Sequence, residues 1–261
     1  MCAALGWLSF LASPTYRRRF LENAAQAGYA FVRVRPAVGE AGKLVAELPR
    51  LWFGRPVAIE WDGAELIDAA RAHARGIVFL TPHLGCFEIT AQAYAARFGP
   101  ITVLFRPARK RWLRELVEQV RVRANLATAP TTLAGVRQML KALKAGEAVG
   151  LLPDQVPPEG LGVWAPFFAR PAYTMTLSTR LAAQTGATVL LAWGERLPSG
   201  RGYRVHLRRW PPIEIAPDGE TAAAQVNAAM EALIRECPQQ YLWGYARYKR
   251  SRTERRAELS P

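Results

Sequence analysis

The run Gly76-Ile77-Val78-Phe79-Leu80-Thr81-Pro82-His83-Leu84-Gly85-Cys86-Phe87-Glu88 limits what this chain can fold into more than any other stretch. Four consecutive apolar residues, Ile77 to Leu80, show no alternation, so a strand here has to be covered on both faces, as in a sheet with a layer on each side. Pro82 stops the pairing and leaves His83 at the strand's C-terminal end. From Cys86 to Ala96 the residues suit a helix, which puts Glu88 in the first turns, where the helix dipole favours an ionised carboxylate. Side chains five positions apart on one helix diverge by about 140°. His83 and Glu88 can therefore meet only if the chain turns between them, and Gly85 permits that turn. An imidazole held through one nitrogen by a carboxylate has a fixed tautomer and a lone pair on the other, as a general base requires. The competing reading is a loop histidine beside an unrelated surface glutamate.

The flanking pattern alternates strand and helix. Strands are predicted at 57–61, 77–81, 101–105, 148–152, 188–193 and 203–209, and helices at 64–75, 86–97, 109–123, 132–145, 174–185 and 222–236. Such alternation predicts an α/β fold over residues 56–250, with a mixed, mainly parallel central sheet flanked by helices on both faces. Residues 1–55 form a helical lead-in: Phe20, Ala24, Ala27 and Phe31 fall at near-helical spacing, and a second helical piece, Lys43 to Phe53, is expected to bend or break at Pro49. Residues 251–261 read as a flexible basic tail. In open α/β sheets ligands bind beyond the carboxyl ends of strands. His83, Arg106 and Asp154 each follow an apolar strand and are expected along one edge. Asp154-Gln155 opens a Pro- and Gly-rich loop, Val156 to Pro166, of the kind that covers sites.

Charge narrows the partners. The chain carries 35 Lys plus Arg against 21 Asp plus Glu, a net +14, which favours nucleic acid, an anionic membrane surface, a phosphorylated lipid or an acidic carrier protein. The segment 109–123 holds Arg109, Lys110, Arg111, Arg114, Arg121 and Arg123. It is either a solvated face or a docking surface for phosphates. A nucleic-acid module wants aromatic residues interleaved with the basic ones, and Trp112 alone does not supply this. Three separated cysteines read as free thiols in a reducing compartment. His73 and His206 read as exposed residues, leaving no His-rich metal centre. The apolar stretch Met1 to Ala12 is too short to span a bilayer and precedes Tyr16-Arg17-Arg18-Arg19. It suits a helix in the membrane interface, or a buried helix with a solvated basic end. Motifs of serine hydrolases, P-loop proteins, dinucleotide binders and zincins are absent. A Cys86/His83 nucleophile pair is conceivable near a helix N-terminus, against the commoner buried thiol.

His83-x4-Glu88, then Arg106-Pro107, then Leu152-Pro153-Asp154-Gln155 follow one another in the order seen in glycerolipid-type acyltransferases. Gly162 to Phe168 with Pro171-Ala172, the segment Leu181 to Leu190, and Pro238-Gln239-Gln240-Tyr241-Leu242-Trp243 with Arg247 and Lys249 extend the likeness over about residues 15–250. More specifically, the chain resembles the lipid A late acyltransferases, the lauroyl/myristoyl transferase family. This resemblance implies a glycerolipid acyltransferase-like fold and transfer of a fatty acyl group from a thioester, on acyl carrier protein or CoA, to a hydroxyl of a lipid A precursor. His83 would take the hydroxyl proton and Glu88 would orient the imidazole. Arg106 would contact a phosphate or the developing oxyanion, and Asp154 would orient Arg106 or the acceptor. Gln155, Arg109 and Lys110 join them on the substrate side. No metal or redox cofactor is implied. The implied partners are acyl carrier protein, anionic inner-membrane lipids and a phosphorylated glycolipid acceptor, without nucleic acid, at the cytoplasmic face of a bacterial inner membrane with peripheral or shallow attachment. Rival functions are a lysophospholipid or other glycolipid acyltransferase, a thioester or lipid hydrolase, and a non-catalytic binder of anionic surfaces or nucleic acid. The chain departs from the family pattern in having Cys86-Phe87 where Asn-Trp is usual and Gly244-Tyr245 where a His is common. The usual N-terminal membrane-spanning helix is expected to be absent or much shortened.

Overall fold

Why the chain builds a covered sheet is clearest at its two central strands, β2 (Ile77–Leu80) and β5 (Ala148–Leu151), in which every residue is buried. The computed structural model describes residues 2–54, 56–105, 124–211 and 214–249. Among these, β2 and β5 pair in parallel at the middle of a seven-stranded sheet. The other members are β1 (Ile59–Asp62), β3 (Ile101–Phe105), β4 (Leu126–Pro130), β8 (Thr188–Arg196) and β9 (Tyr203–Arg209). The order is β1-β9-β8-β2-β5-β3-β4. All neighbours run parallel except β8 and β9. A separate antiparallel hairpin joins β6 (Gly162–Phe167) to β7 (Arg170–Met175).

Successive residues of a strand point to opposite faces, so β2 feeds two cores. Ile77 and Phe79 join Leu66, Ile67, Tyr94 and Ala95 under helices α5 (Glu65–Arg71) and α6 (Phe87–Arg97). Val78 and Leu80 join Met139, Leu143, Leu181, Met230 and Leu233 under α7 (Leu133–Lys144), α8 (Leu177–Thr185) and α9 (Gly219–Glu236). The mixed, mainly parallel sheet with helices on both faces is the architecture the alternation predicts.

The lead-in folds into α1 (Cys2–Ala12), α2 (Pro14–Gln26), α3 (Phe31–Val34) and α4 (Pro36–Phe53). Ser13 caps α2, its hydroxyl accepting from the Tyr16 N–H. Buried Phe10, Phe20, Val34 and Val38 belong to the same apolar cluster as Val78 and Leu80. Helix α4 runs through Pro49 without a break, where a bend or a break was expected. Its Glu47 and Glu40 hold Arg196 of β8 at 2.7 and 3.4 Å.

Two features were not legible from pattern. β4 is an edge strand whose sequence, Leu-Ala-Thr-Ala-Pro, offers little apolar signal. The segment expected to be loop up to Pro166 instead contains β6, which turns into β7 through Phe168 and Ala169 at φ of 47° and 59°. A two-residue hairpin of that kind usually announces itself with Asn-Gly or Asp-Gly, and here neither is present. The expected helix 109–123 and the basic tail 251–261 lie outside the described residues.

Candidate active site

Neighbouring strands β2 and β5 send the chain onward to opposite faces, β2 to α6 and β5 through the hairpin to α8. A crevice forms beyond their carboxyl ends at such a switch, and His83 and Asp154 both stand there. The turn carrying His83 is pinned from two sides. The Gly85 N–H donates to Gln240 O at 3.0 Å, the Cys86 N–H to Gly194 O at 2.7 Å, and the Leu242 N–H to His83 O at 3.2 Å. Gly85 has φ of 60°, and a Cβ there would fall 1.9 Å from Gly194 O, so only glycine fits. Helix α6 begins immediately afterwards, and the Phe87 ring meets the imidazole edge-on with centroids 4.7 Å apart.

The imidazole is held by the loop after β5. His83 Nδ1 lies 2.7 Å from Asp154 Oδ1, and the His83 backbone N–H donates to Asp154 Oδ2 at 2.8 Å. The Tyr241 hydroxyl donates to the same Oδ2 at 3.3 Å. A carboxylate only accepts, so Nδ1 carries a hydrogen, and in the neutral imidazole Nε2 is then the nitrogen with the lone pair. That lone pair faces the Gln155 amide nitrogen at 2.9 Å.

Asp154 is 1% exposed. Burial works to raise its pKa, but the charge and hydrogen bonds of His83 and the charge of Arg247 outweigh it and hold the carboxyl below its usual range. Tyr241 moves the other way: burial, then the Asp154 charge, push its phenol well up, so it stays a neutral donor. Arg247 is itself buried, donating to Tyr173 O at 2.6 Å and to Thr174 Oγ1 at 2.7 Å. Arg247 thus acts on Asp154 through its charge, while Tyr241 and His83 hold the carboxylate by hydrogen bonds.

The structure brings His83, Asp154 and Gln155 together. His83 Nδ1 meets Asp154 and Nε2 meets Gln155, where the sequence spacing had suggested Glu88. The reason is where α6 starts. Phe87, the first helical residue, takes the place against the imidazole, and one step along a helix turns the next side chain by about 100°. Glu88 instead lines an apolar cavity of about 90 Å³ on the α6 face of the sheet. Phe79, Tyr94, Val103, Gly150 and Leu207 wall this cavity, and its lining includes Phe87, whose ring also meets the imidazole. Asp154 was expected to orient Arg106 or the acceptor. Arg106, Arg109 and Lys110 lie outside the described residues.

Of the two readings of Cys86 the buried thiol holds, and the expectation for His206 is corrected. Cys86 is fully buried, and burial, helped by Glu47, pushes its thiol up to about 12, which removes the nucleophile pair. His206 is buried rather than exposed, with Nδ1 2.8 Å from Asp62 and Nε2 2.9 Å from Glu195, stacked on Trp193. It crosslinks β1, β8 and β9. His73 is exposed. Tyr241 and Arg247 received no role from sequence, although a tyrosine and an arginine set among buried aromatic residues were the available signal.

Fold and site together define an α/β protein with a histidine–aspartate pair at the carboxyl edge of a mainly parallel sheet, the layout of an acid–base site, with an apolar chamber beside it. Residues 35–250 match the family model described as bacterial lipid A biosynthesis acyltransferase, and the chain belongs to that family. Its relatives include the lipid A biosynthesis lauroyltransferase of Escherichia coli strain K12, 32% identical over 204 residues, which cover 76% of this chain and 65% of that protein. The lipid A biosynthesis palmitoleoyltransferase of the same strain is 28% identical over 214 residues, covering 80% and 68%. The myristoyltransferase is 23% identical over 187 residues, covering 71% and 57%. The chain thus spans about two thirds or less of the length of these curated relatives.

Proposed function

We propose that this protein transfers a fatty acyl group from a thioester to a hydroxyl of a lipid A precursor or related glycolipid, with His83 as general base and Asp154 as its partner. The observation that carries this reading is an imidazole whose Nδ1 hydrogen faces a buried carboxylate at 2.7 Å, which in the neutral ring leaves Nε2 as the lone-pair nitrogen. The acceptor oxygen attacks the thioester carbonyl as its proton passes to Nε2. The carbon–sulfur bond then breaks, and the imidazolium returns the proton to the departing thiolate. Asp154, kept ionised, stabilises the imidazolium between these steps. Acid–base help of this kind contributes roughly 10²–10⁴ in rate.

The cavity's apolar lining suits part of a hydrocarbon chain, and this reading assigns Glu88, on its wall, to the reacting carbonyl rather than to the histidine. Arg106, Arg109 and Lys110 are assigned to anionic groups of the substrates on their sequence positions. A thioester is already activated, so the reaction as proposed draws on no metal or redox cofactor. The relatives are named for three different acyl groups, which leaves chain length to the cavity. A net charge of +14 favours an acidic carrier protein as donor and an anionic membrane as workplace. No helix among the described residues is long and apolar enough to cross a membrane. Helix α1 exposes Leu5, Leu8 and Leu11, and the adjoining Arg18 and Arg19 are exposed as well. An apolar face next to cations suits shallow docking on the cytoplasmic face of an inner membrane.

The test is transfer from acyl carrier protein thioester to a lipid A precursor in vesicles, with products read by mass spectrometry. His83→Ala is expected to fold and lose at least about 10² in rate. Full transfer by that variant rejects the assignment. Fatty acid as the sole product, with the acceptor present, makes the protein a hydrolase instead.

A further inference from the structure

We propose that Gln155 caps the base: its carboxamide occupies the His83 Nε2 lone pair in the resting protein, so that water is not activated before an acceptor hydroxyl displaces it. The inference rests on the reading of His83 as the base of thioester chemistry, and it addresses a problem that reading creates. An acyl thioester bound beside an uncovered base would be exposed to water, whose concentration far exceeds that of any lipid hydroxyl.

The geometry is specific. With the Nδ1 hydrogen committed to Asp154 at 2.7 Å, Nε2 of the neutral ring is an acceptor, and the group 2.9 Å from it is the Gln155 amide nitrogen, a donor. Gln155 follows Asp154 directly, so one short segment supplies the partner for one ring nitrogen and the cover for the other. The backbone beyond it is pinned, the Val156 N–H donating to the Tyr245 hydroxyl at 3.0 Å. Uncovering Nε2 therefore requires rotation of one half-buried side chain and no movement of the loop. The cap also answers to the protonation state it guards. Once Nε2 has gained a proton, two donors face each other, and the amide must turn its oxygen inward or leave.

In the uncapped enzyme, water would add its oxygen to the thioester carbonyl and give a proton to Nε2. The carbon–sulfur bond then breaks, and the thiolate takes that proton, leaving fatty acid and free thiol. The cap is a neutral hydrogen bond, so its net worth sets the effect at about two- to tenfold.

The experiment compares Gln155→Met, which keeps length without a donor, and Gln155→Ala with the parent chain. Thiol release from an acyl-CoA donor is measured without acceptor, and transfer is measured with a lipid A precursor. Both variants are expected to raise acceptor-free hydrolysis about two- to tenfold and to lower the KM for acceptor. Adding His83→Ala to either variant should abolish the gain. Unchanged or reduced hydrolysis in variants with native circular dichroism overturns the cap, as does a gain that survives His83→Ala. Gln155→Glu supplies an independent readout, because an acceptor against Nε2 favours imidazolium and should move the acidic limb of the activity profile to higher pH. An unmoved limb counts against the contact. If His83→Ala alone leaves transfer intact, the reading of the site fails rather than the cap.

Discussion

Asp154 is where one side chain decides most. It accepts from the His83 ring, the His83 backbone and Tyr241, so Asp154→Asn keeps the volume while removing the charge that balances the imidazolium. We expect kcat/KM to fall by about 10²–10⁴, and by much less in Glu88→Gln; steady-state transfer assays showing the reverse order would return the pair to Glu88. The same residue fixes a pH dependence. Its folded pKa lies below the unfolded one, so the stability it contributes is fully present above the unfolded value of about 3.9. That contribution is lost as pH falls through the depressed folded value. Urea midpoints of parent and Asp154→Asn should therefore differ by a constant amount at neutral pH and converge on acidification below about pH 4. From sequence, His83 and Asp154 were each legible as strand-end residues, but not as partners. They are 71 positions apart, and only Glu88 lay near enough for spacing to suggest it. The Tyr241 hydroxyl, 87 positions from Asp154, was beyond any local pattern.

At the scale of elements, the helix after β2 has two tasks, and its first two residues divide them. Phe87 closes on the imidazole while Glu88 and the following turns roof the cavity against β3 and β5. The floor of that cavity includes Gly150, where an added Cβ would come within 3.2 Å of Val103 Cγ1. The contact is tight but falls on a side-chain methyl, so Gly150→Ala should narrow the chamber without breaking β5. Given a mixture of acyl donors of graded length, the variant is expected to favour shorter chains than the parent, at similar rates for the shortest. An unchanged length profile would show that the chain lies elsewhere. Neither the cavity nor its floor could be read from periodicity. An apolar run predicts burial, whereas a void depends on which side chains are absent, and a glycine inside a strand signals close approach without saying of what.

Across the whole molecule, the lead-in helices and the α/β sheet share one apolar cluster, so whatever orients α1 also orients the crevice. Helix α1 lies on α4 through Gly6 and Gly42, whose missing side chains let the backbones touch; a Cβ on Gly6 would sit 1.9 Å from Val38 O. With that face committed, Leu8 and Leu11 remain 64% and 66% exposed. Sequence offered an interfacial helix and a buried one as alternatives, and the structure shows why each had merit, since one side of α1 is packed and the other is bare. A leucine moved from water to hydrocarbon gains about 1.5–3 kcal/mol. Losing two should therefore weaken attachment by about 10² or more if both are immersed. Leu8→Glu with Leu11→Glu should leave folding and acyl-CoA hydrolysis intact, because neither residue is in the core. Cosedimentation with anionic vesicles should fall accordingly, and transfer to a vesicle-borne acceptor should fall with it. Arg18→Glu with Arg19→Glu should weaken the same attachment chiefly at low salt, since exposed charges are screened within about 10 Å at 0.1 M. Vesicle binding untouched by both pairs would mean that α1 does not face the bilayer, and that the sheet edge is presented to it by another surface.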